Sequence, residues 1–193
     1  GNEMTFITNN SEAVRIDSNG NVGIGVTPDT FGSGYTALQI NGYAYNIAHS
    51  GGDHYITNNA YHNSGWKYGQ TSTAQKIQLA SGKISLMTAA SGSADSAITW
   101  NTGLVQDSAG SVGIGTTSPD GILHIKGGSD AYVTIEAGST DGNVGLLFDN
   151  SSSTQKGALL YDTDDNYLLF NVNGSERMRL QSDGKLLVTE IAH

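Results

Sequence analysis

The feature that most constrains this chain is a glycine-rich segment that occurs twice. Residues 17–28 read Asp-Ser-Asn-Gly-Asn-Val-Gly-Ile-Gly-Val-Thr-Pro, and residues 107–119 read Asp-Ser-Ala-Gly-Ser-Val-Gly-Ile-Gly-Thr-Thr-Ser-Pro. The Asp, Ser and Asn side chains with a following glycine are typical of a tight turn. The alternation of Val or Ile with Gly then predicts a short strand, whose bare face lets another backbone or a flat ring approach closely.

The repetition extends beyond this motif. Leu38-Gln39-Ile40 follows the first copy and Leu123-His124-Ile125 follows the second, both apolar at alternate positions. Residues 6–20 also align without a gap with residues 170–184, which gives a third, partial copy. Such internal repetition indicates a modular, elongated protein more often than a compact enzyme. The irregular spacing of the copies argues against a strict solenoid.

The composition predicts an all-β fold. Gly accounts for 26 of the 193 residues, and only 14% of the residues are charged. The 37% of hydrophobic residues fall in period-2 clusters, which is too much pattern for a disordered linker. No segment predicts a helix. Because the apolar positions are few for a self-sufficient core, we expect much of the apolar burial to occur between chains.

Charge and cysteine content exclude several classes of function. The net charge is −9, the isoelectric point is near 4.7, and Lys and Arg form no cluster. Binding to nucleic acid, or to anionic membranes through a basic patch, is therefore disfavoured. The chain has no Cys, so it forms no disulfide and no thiolate metal site. It contains no apolar run near 18 residues and no signal-peptide pattern, so membrane insertion is not expected.

We divide the chain into four segments. Residues 1–42 and 103–127 are the two glycine-strand units, residues 43–102 are an aromatic-rich β subdomain, and residues 128–193 are a β block that contains the partial third copy. Within these segments, patterns of Val, Ile, Tyr and Phe between turn residues predict further strands. These lie at residues 4–8, 13–16, 76–79, 83–87, 97–100, 132–136, 144–148, 158–162 and 167–172.

The aromatic-rich segment supplies the candidate binding residues, which are Tyr61, His62, Trp66, Lys67 and Tyr68. Aromatic faces beside polar groups suit a carbohydrate ring, so these residues are predicted to contact a receptor. Packing against the glycine strands is the alternative role. The scarcity of other large apolar groups in this segment favours packing.

Other motifs that carry chemistry are incomplete. Gly23-Ile24-Gly25 resembles the start of a dinucleotide fingerprint, but Pro28 and the lack of a following helix remove the phosphate site. Residues 162–166 resemble part of a calcium loop, which lacks Gly at its sixth position and Glu at its twelfth. A solvated hairpin turn is favoured there.

Histidines and carboxylates give no linear site either. His49, His54 and His62 are not spaced as ligands on one strand face, although copies of one His from three chains can still meet on a threefold axis. Asp53, Asp95, Glu136 and Asp141 are the carboxylates that a glycan-cleaving site would use, and nothing in the sequence brings two of them together. We therefore predict no enzymatic activity, no metal and no cofactor.

With these residues in view, the chain resembles a bacteriophage tail-fibre protein, in the region before a C-terminal intramolecular chaperone of the endosialidase type. The resemblance depends on the two glycine motifs and on four further segments: Asn59-Ala60-Tyr61, Gly65-Trp66-Lys67-Tyr68, Ala97-Ile98-Thr99-Trp100 and Gly174-Ser175-Glu176-Arg177-Met178-Arg179-Leu180. It implies an elongated homotrimeric fibre with β-prism or β-helix-like repeats and two β-rich blocks. The chaperone that would follow Val188 in the family is not in this sequence, and the resemblance implies that His193 would be either a maturation end or an engineered cut.

The resemblance also implies function, partners and location. The expected role is structural and adhesive: attachment to a host cell-surface receptor, either a glycan or a protein, alongside other tail proteins. The protein would be made in the host cytoplasm and located in the virion. Two alternatives stay open, a glycan-degrading tailspike depolymerase and a purely structural shaft without receptor contact.

Overall fold

The computed structural model describes residues 2–139, 142–150 and 153–189. These residues form strands and no helix, which confirms the all-β prediction. The chain divides into two compact units, residues 1–131 and 132–193.

Thirteen described strands belong to the first unit, and eleven of them form one sheet. The strands are β1 (Met4–Thr8), β2 (Ser11–Ile16), β3 (Val22–Ile24), β4 (Tyr35–Ile40), β5 (Ala44–His49), β6 (His54–Asn58), β7 (Ala60–His62), β8 (Trp66–Tyr68), β9 (Ser72–Ala80), β10 (Lys83–Gly92), β11 (Asn101–Gln106), β12 (Val112–Ile114) and β13 (Leu123–Ile125).

The large sheet follows the order of the sequence. Its strand order is β1-β2-β3-β4-β5-β6-β9-β10-β11-β12-β13, while β7 and β8 form a separate two-stranded hairpin between β6 and β9. All neighbouring strands are antiparallel except two pairs, β3 with β4 and β12 with β13. The sheet therefore continues through the predicted segments 1–42, 43–102 and 103–127.

Three turns in the chain share one backbone geometry. In the first, the amide of Gly20 donates to the carbonyl of Asp17 at 3.0 Å, and the amide of Asp17 donates to the carbonyl of Asn21 at 2.9 Å. The same two bonds, at 2.9 to 3.0 Å, close the turns at residues 107–111 and 181–185. Each turn begins with Asp or Gln, and the residue three positions later is a glycine with φ of 84° to 87°. Other residues rarely adopt this conformation, so the glycine is required.

The glycine strands pack against their own chain. A Cβ atom on Gly23 would lie 2.1 Å from the carbonyl oxygen of Val26, and one on Gly113 would lie 2.4 Å from that of Thr116. The next glycine of each motif has φ of 69° or 72°, which ends the strand and turns the following residues back over it. The bare face predicted from the sequence is thus occupied by a neighbouring backbone segment in both copies.

The second unit contains a five-stranded antiparallel sheet in sequence order. Its strands are β14 (Asn143–Asn150), β15 (Ser153–Asp162), β16 (Tyr167–Val172), β17 (Ser175–Leu180) and β18 (Leu186–Val188). The bulge between β16 and β17, at Phe170/Asn171, corresponds to the bulge at Phe6/Ile7 between β1 and β2. In β18, the strand that follows the third turn, Leu187 occupies the position at which the other two copies have the central glycine of the motif.

One face of the large sheet is covered and holds the core. Buried side chains form two groups, one of Ala37, Tyr45, Ile47 and Tyr55, and one of Ala60, Tyr68, Ala74 and Ala89. The β7–β8 hairpin packs over this covered face, as the rings of Tyr61 and Trp66 contact the first group. We call the opposite side of the sheet the outer face.

Most predicted strands occur, although several are longer than predicted. The predictions at residues 97–100 and 132–136 are wrong. In the first region the amide of Ile98 donates to the carbonyl of Trp66 at 2.9 Å, and Ala97 makes an isolated bridge to Lys67, so the segment lies against the hairpin. Residues 132–136 have strand-forming side chains, but they pair with no strand in the described chain.

Candidate functional site

The five candidate receptor-binding residues lie together on the β7–β8 hairpin. Tyr61 pairs with Lys67 and His62 pairs with Trp66 across the two strands. The connecting turn has positive φ at Ser64 and Gly65, 54° and 123°, and is closed by a bond from the amide of Asn63 to the carbonyl of Gly65. The sequence thus forms the hairpin locally, and the hairpin brings these side chains over the covered face of the sheet.

Tyr61 is fixed by a carboxylate. Its hydroxyl donates to Oδ1 of Asp95 at 2.6 Å. Burial, with the hydrogen bond to Asp95 and its negative charge as further causes, raises the pKa of Tyr61 to about 12. The tyrosine is therefore a neutral hydrogen-bond donor at physiological pH, and Asp95 is held as its acceptor.

His62 and Trp66 belong to a set of stacked rings. The His62 ring stacks on Tyr35 with centroids 4.1 Å apart, and it meets the edge of Trp66 at 5.3 Å. Trp66 also contacts Tyr55 at 4.9 Å and Trp100 at 6.1 Å in edge-to-face geometry. We call these five residues the aromatic cluster. Burial lowers the pKa of His62, and the positive charges of His49 and Lys76 lower it further.

A lysine ammonium lies inside the aromatic cluster. Nζ of Lys76 is 4.3 Å from the ring centroid of Trp66, 4.7 Å from that of Trp100 and 5.6 Å from that of Tyr55. Lys76 is only 4% exposed, and in the described part of the chain it forms no ion pair. Burial lowers its pKa to about 8. Attraction to the aromatic faces compensates part of this desolvation.

Two nitrogen atoms near this cluster are unusual. Nδ1 of His62 and Nε1 of Trp100 are buried and have no hydrogen-bond partner within the residues that the structure describes. Unpaired buried polar atoms cost free energy, so the cluster is held together mainly by ring packing.

The remaining two candidates differ in accessibility. Tyr68 is 5% exposed, its hydroxyl donates to the carbonyl of Ala90 at 2.6 Å, and its ring lies directly against Gly92. This tyrosine serves packing. Lys67 is half-buried beside Tyr61, and its backbone bridges to Ala97. Contact of these five residues with a receptor stays a prediction.

The other candidate groups are dispersed or already engaged. Asp53 accepts the hydroxyl of Tyr55 at 2.9 Å, whereas Glu136 belongs to the second unit and Asp141 lies outside the described residues. His54 bonds to Asn46 at 2.6 Å, away from the aromatic cluster. Among residues 2–139, 142–150 and 153–189, no group of three or more His, Asp or Glu side chains is placed to hold a metal ion.

The turn at residues 162–166 is a hairpin turn. The Asp162 carboxylate accepts the backbone amides of Asp164 and Asp165 at 3.0 and 2.9 Å. These bonds lower the pKa of Asp162, with the bond from Asp165 as the largest cause. Its oxygens therefore stabilise the turn between β15 and β16, which is the alternative that the sequence favoured.

Sequence reasoning missed Lys76 and its contacts with Tyr55 and Trp100. The residues contacting Lys76 come from β6, β8 and the segment before β11, and no local spacing connects them. A signal was present in β9, where Lys76 alternates with Ile77 and Leu79. This alternation places the lysine on one face and the two apolar residues on the other.

Comparison with known proteins does not assign the chain to a family. No protein-family model matches the chain, and a search of the curated proteins finds no match. The described residues also include no helix long and apolar enough to cross a membrane.

Proposed function

We propose that this chain is a structural and adhesive segment of a bacteriophage tail fibre, which assembles as a homotrimer and attaches to a receptor on the host cell surface. The observation that carries the proposal is the outer face of the large sheet, where large apolar side chains are exposed. The resemblance of the glycine motifs and of the hairpin sequence to tail-fibre proteins supports the rest.

The outer face is apolar where water should favour polar groups. Eight Ile and Leu side chains on it are 39–46% exposed. They are Ile24, Ile40, Ile56, Ile77, Leu79, Ile84, Leu86 and Ile114. Ile56, Ile77 and Leu86 are directly paired across β6, β9 and β10, and the row continues through Leu104 and Ile114. Between these strands the row forms an apolar groove of about 500 Å³.

Polar residues are buried on the opposite, covered face of the same strands. Gln39 is 1% exposed, Thr57 4%, Lys76 4% and Ser85 9%. Each of them is next in sequence to one of the exposed apolar residues. A monomer in water normally has the reverse arrangement, and a contiguous exposed apolar patch of this kind marks an interaction surface.

Copies of the same chain are the partner that best fits this face. The outer face has few charged residues, so apolar contact would dominate the interface, as in obligate homo-oligomers. Covering the exposed part of each Ile or Leu contributes roughly 1 kcal/mol, so eight residues in each of three chains suffice for stable association. Three chains would also present three identical sets of loops to a receptor, which increases avidity.

Light scattering tests the assembly. Circular dichroism on the same sample verifies that the protein is folded. The expected molar mass is three times 20.2 kDa. A folded monomer would contradict the proposal, because the apolar face would then be stable in water.

A pair of charge substitutions locates the interface. Ile77→Glu places a carboxylate in the middle of the outer face and should give monomers or insoluble protein. Ser93→Glu places the same charge on an exposed residue of the loop after β10 and should leave the trimer intact. Trimers of normal stability from the Ile77 variant would show that the outer face is not the interface. Binding of the purified trimer to bacterial cells then tests adhesion, and a trimer that binds no susceptible strain would favour the shaft alternative.

A further inference from the structure

The loop between β3 and β4 differs in length from its counterpart between β12 and β13. In the first copy, residues 26–37 lie between Gly25 and the β4 residue that pairs with Val22. In the second copy, only residues 116–122 lie between the equivalent positions. The first loop is thus five residues longer. The additional residues are not needed for the parallel strand pair, since the shorter loop makes the same pair.

The longer loop forms one wall of a cleft of about 550 Å³ on the first unit. The cleft is lined by Phe31 and Tyr35, by glycine residues, and by the polar residues Asn19, Asn21, Thr30, Ser33, Thr36 and Ser50. Among these polar residues Asn21 is buried, and its amide bonds to Asp17 and to the backbone of Ala37. None of the lining residues carries a charge, although the chain as a whole has a net charge of −9.

Several hydrogen bonds hold the loop in position. The amide of Gly32 donates to the carbonyl of His62 at 2.9 Å, and the amide of Ser50 donates to the carbonyl of Gly34 at 2.8 Å. At the start of the loop, Oδ2 of Asp29 accepts the hydroxyl of Tyr45 at 2.6 Å. The cleft therefore exists before any ligand arrives, which lowers the entropic cost of binding.

Glycine makes the narrow part of the cleft possible. At Gly34 φ is 83°, and a Cβ atom there would lie 2.8 Å from Oγ of Ser50 and 3.1 Å from Nε2 of His49. The loop thus passes close to the end of β5. Phe31 meets Tyr45 edge to face at 5.8 Å, and it keeps partial exposure toward the cleft.

We propose that this cleft binds a neutral, hydroxyl-rich saccharide. The exposed Ser and Thr side chains and that of Asn19 can donate and accept hydrogen bonds with sugar hydroxyls, and the partly exposed Phe31 ring offers an apolar surface to the C–H groups of a sugar ring. Without a cationic lining residue the cleft has no partner for an acidic sugar, and the acidic chain repels one. This inference rests on the proposed receptor-binding function and assigns it a location and a ligand class.

Saturation-transfer NMR on the full chain tests the inference directly. The probes are the methyl glycosides of glucose, galactose, mannose and N-acetylglucosamine, with N-acetylneuraminic acid as the anionic comparison. At least one neutral glycoside should receive saturation from the protein, and the anionic sugar should receive none. No transfer to any neutral probe, or transfer only to the anionic sugar, would overturn the inference.

Two matched tryptophan substitutions locate the binding site. Ser33→Trp fills the cleft from an exposed position of the long loop, and the transfer signal should disappear. Ser118→Trp makes the same change at an exposed position of the shorter loop and should leave the signal unchanged. Retention of the signal by a folded Ser33 variant would show that binding occurs elsewhere and would overturn the assignment.

Light scattering on the same samples separates this inference from the fibre proposal. A trimer that binds no neutral glycoside contradicts saccharide binding in the cleft but remains consistent with the fibre proposal. A folded monomer that binds a glycoside, and loses this binding in the Ser33 variant, contradicts the fibre proposal and supports saccharide binding in the cleft.

Discussion

The buried Lys76 should make the free energy of unfolding depend on pH. Its ammonium lies inside the aromatic cluster, and burial lowers its pKa from 10.5 to about 8. Because the folded pKa lies below the unfolded one, the unfolded chain binds more protons between these values, and the free energy of unfolding rises with pH through this window. The pKa difference corresponds to about 3 kcal/mol in total, of which about 2 kcal/mol is recovered between pH 7.5 and 9.5.

The substitution Lys76→Met isolates this effect. Methionine fills similar space among the rings without a charge, so the variant should show a free energy of unfolding that is nearly constant from pH 7.5 to 9.5. Buried tyrosines do not obscure the result. Burial raises the pKa values of Tyr45 and Tyr55 above the ordinary value of 10. These tyrosines therefore lower the free energy of unfolding only as the pH rises above that value.

Urea unfolding followed by tryptophan fluorescence measures the difference, since Trp66 and Trp100 both contact the ammonium. All samples are compared at one protein concentration, because any association would stabilise the folded state. Lys126→Met, at an exposed lysine, is the control and should keep the wild-type slope. An equal pH slope in the Lys76 variant and the wild type would refute the reasoning.

Three further substitutions, the first with a matched control, test the fold. Gly23→Ala forces a Cβ atom onto a carbonyl oxygen and should lower the free energy of unfolding, measured by thermal denaturation, by more than about 2 kcal/mol. Gly103→Ala is the control: a Cβ atom there lies 3.7 Å from the nearest atom, so the free energy of unfolding should change by less than about 1 kcal/mol. Equal effects would exclude the close contact as the cause. Asn59→Ala removes a buried amide that bonds to three backbone groups, and we expect a loss of about 3 kcal/mol or more in denaturant unfolding; a loss below 1 kcal/mol would contradict this. Tyr61→Phe removes the bond to Asp95 and should cost roughly 1.5 kcal/mol by the same measurement, and an unchanged midpoint would show that the bond contributes nothing.

The strands and turns could be predicted because their signals are local. The Asp-Ser-x-Gly turns are closed by side-chain and backbone bonds within five residues, as the bond from the amide of Asn19 to Oδ1 of Asp17 illustrates. The glycine of each turn has the positive φ that its position in the sequence predicted. Residues 97–100 and 132–136 were the exceptions, because strand propensity cannot supply the neighbouring strand that a ladder needs.

Which face of each strand is buried could not be predicted from the pattern. In β9 the alternation of Lys76 with Ile77 and Leu79 defines two faces, and an ordinary monomer would bury the apolar one. The structure buries the lysine, because rings from β6, β8 and the segment before β11 converge on it. The aromatic cluster escaped prediction for the same reason: Tyr35 and His62 are 27 positions apart, yet their rings stack at 4.1 Å.

The order of strands in the large sheet has a consequence for how the chain folds. Apart from the β7–β8 hairpin, every strand pairs with its neighbour in the sequence, and the longest connection within the ladder runs from β6 to β9. Short loops close at low entropic cost, so a sheet of this kind can grow strand by strand as the chain leaves the ribosome. The glycine turns would act as successive starting points, and the outer face would be complete once the last strand of the sheet has paired.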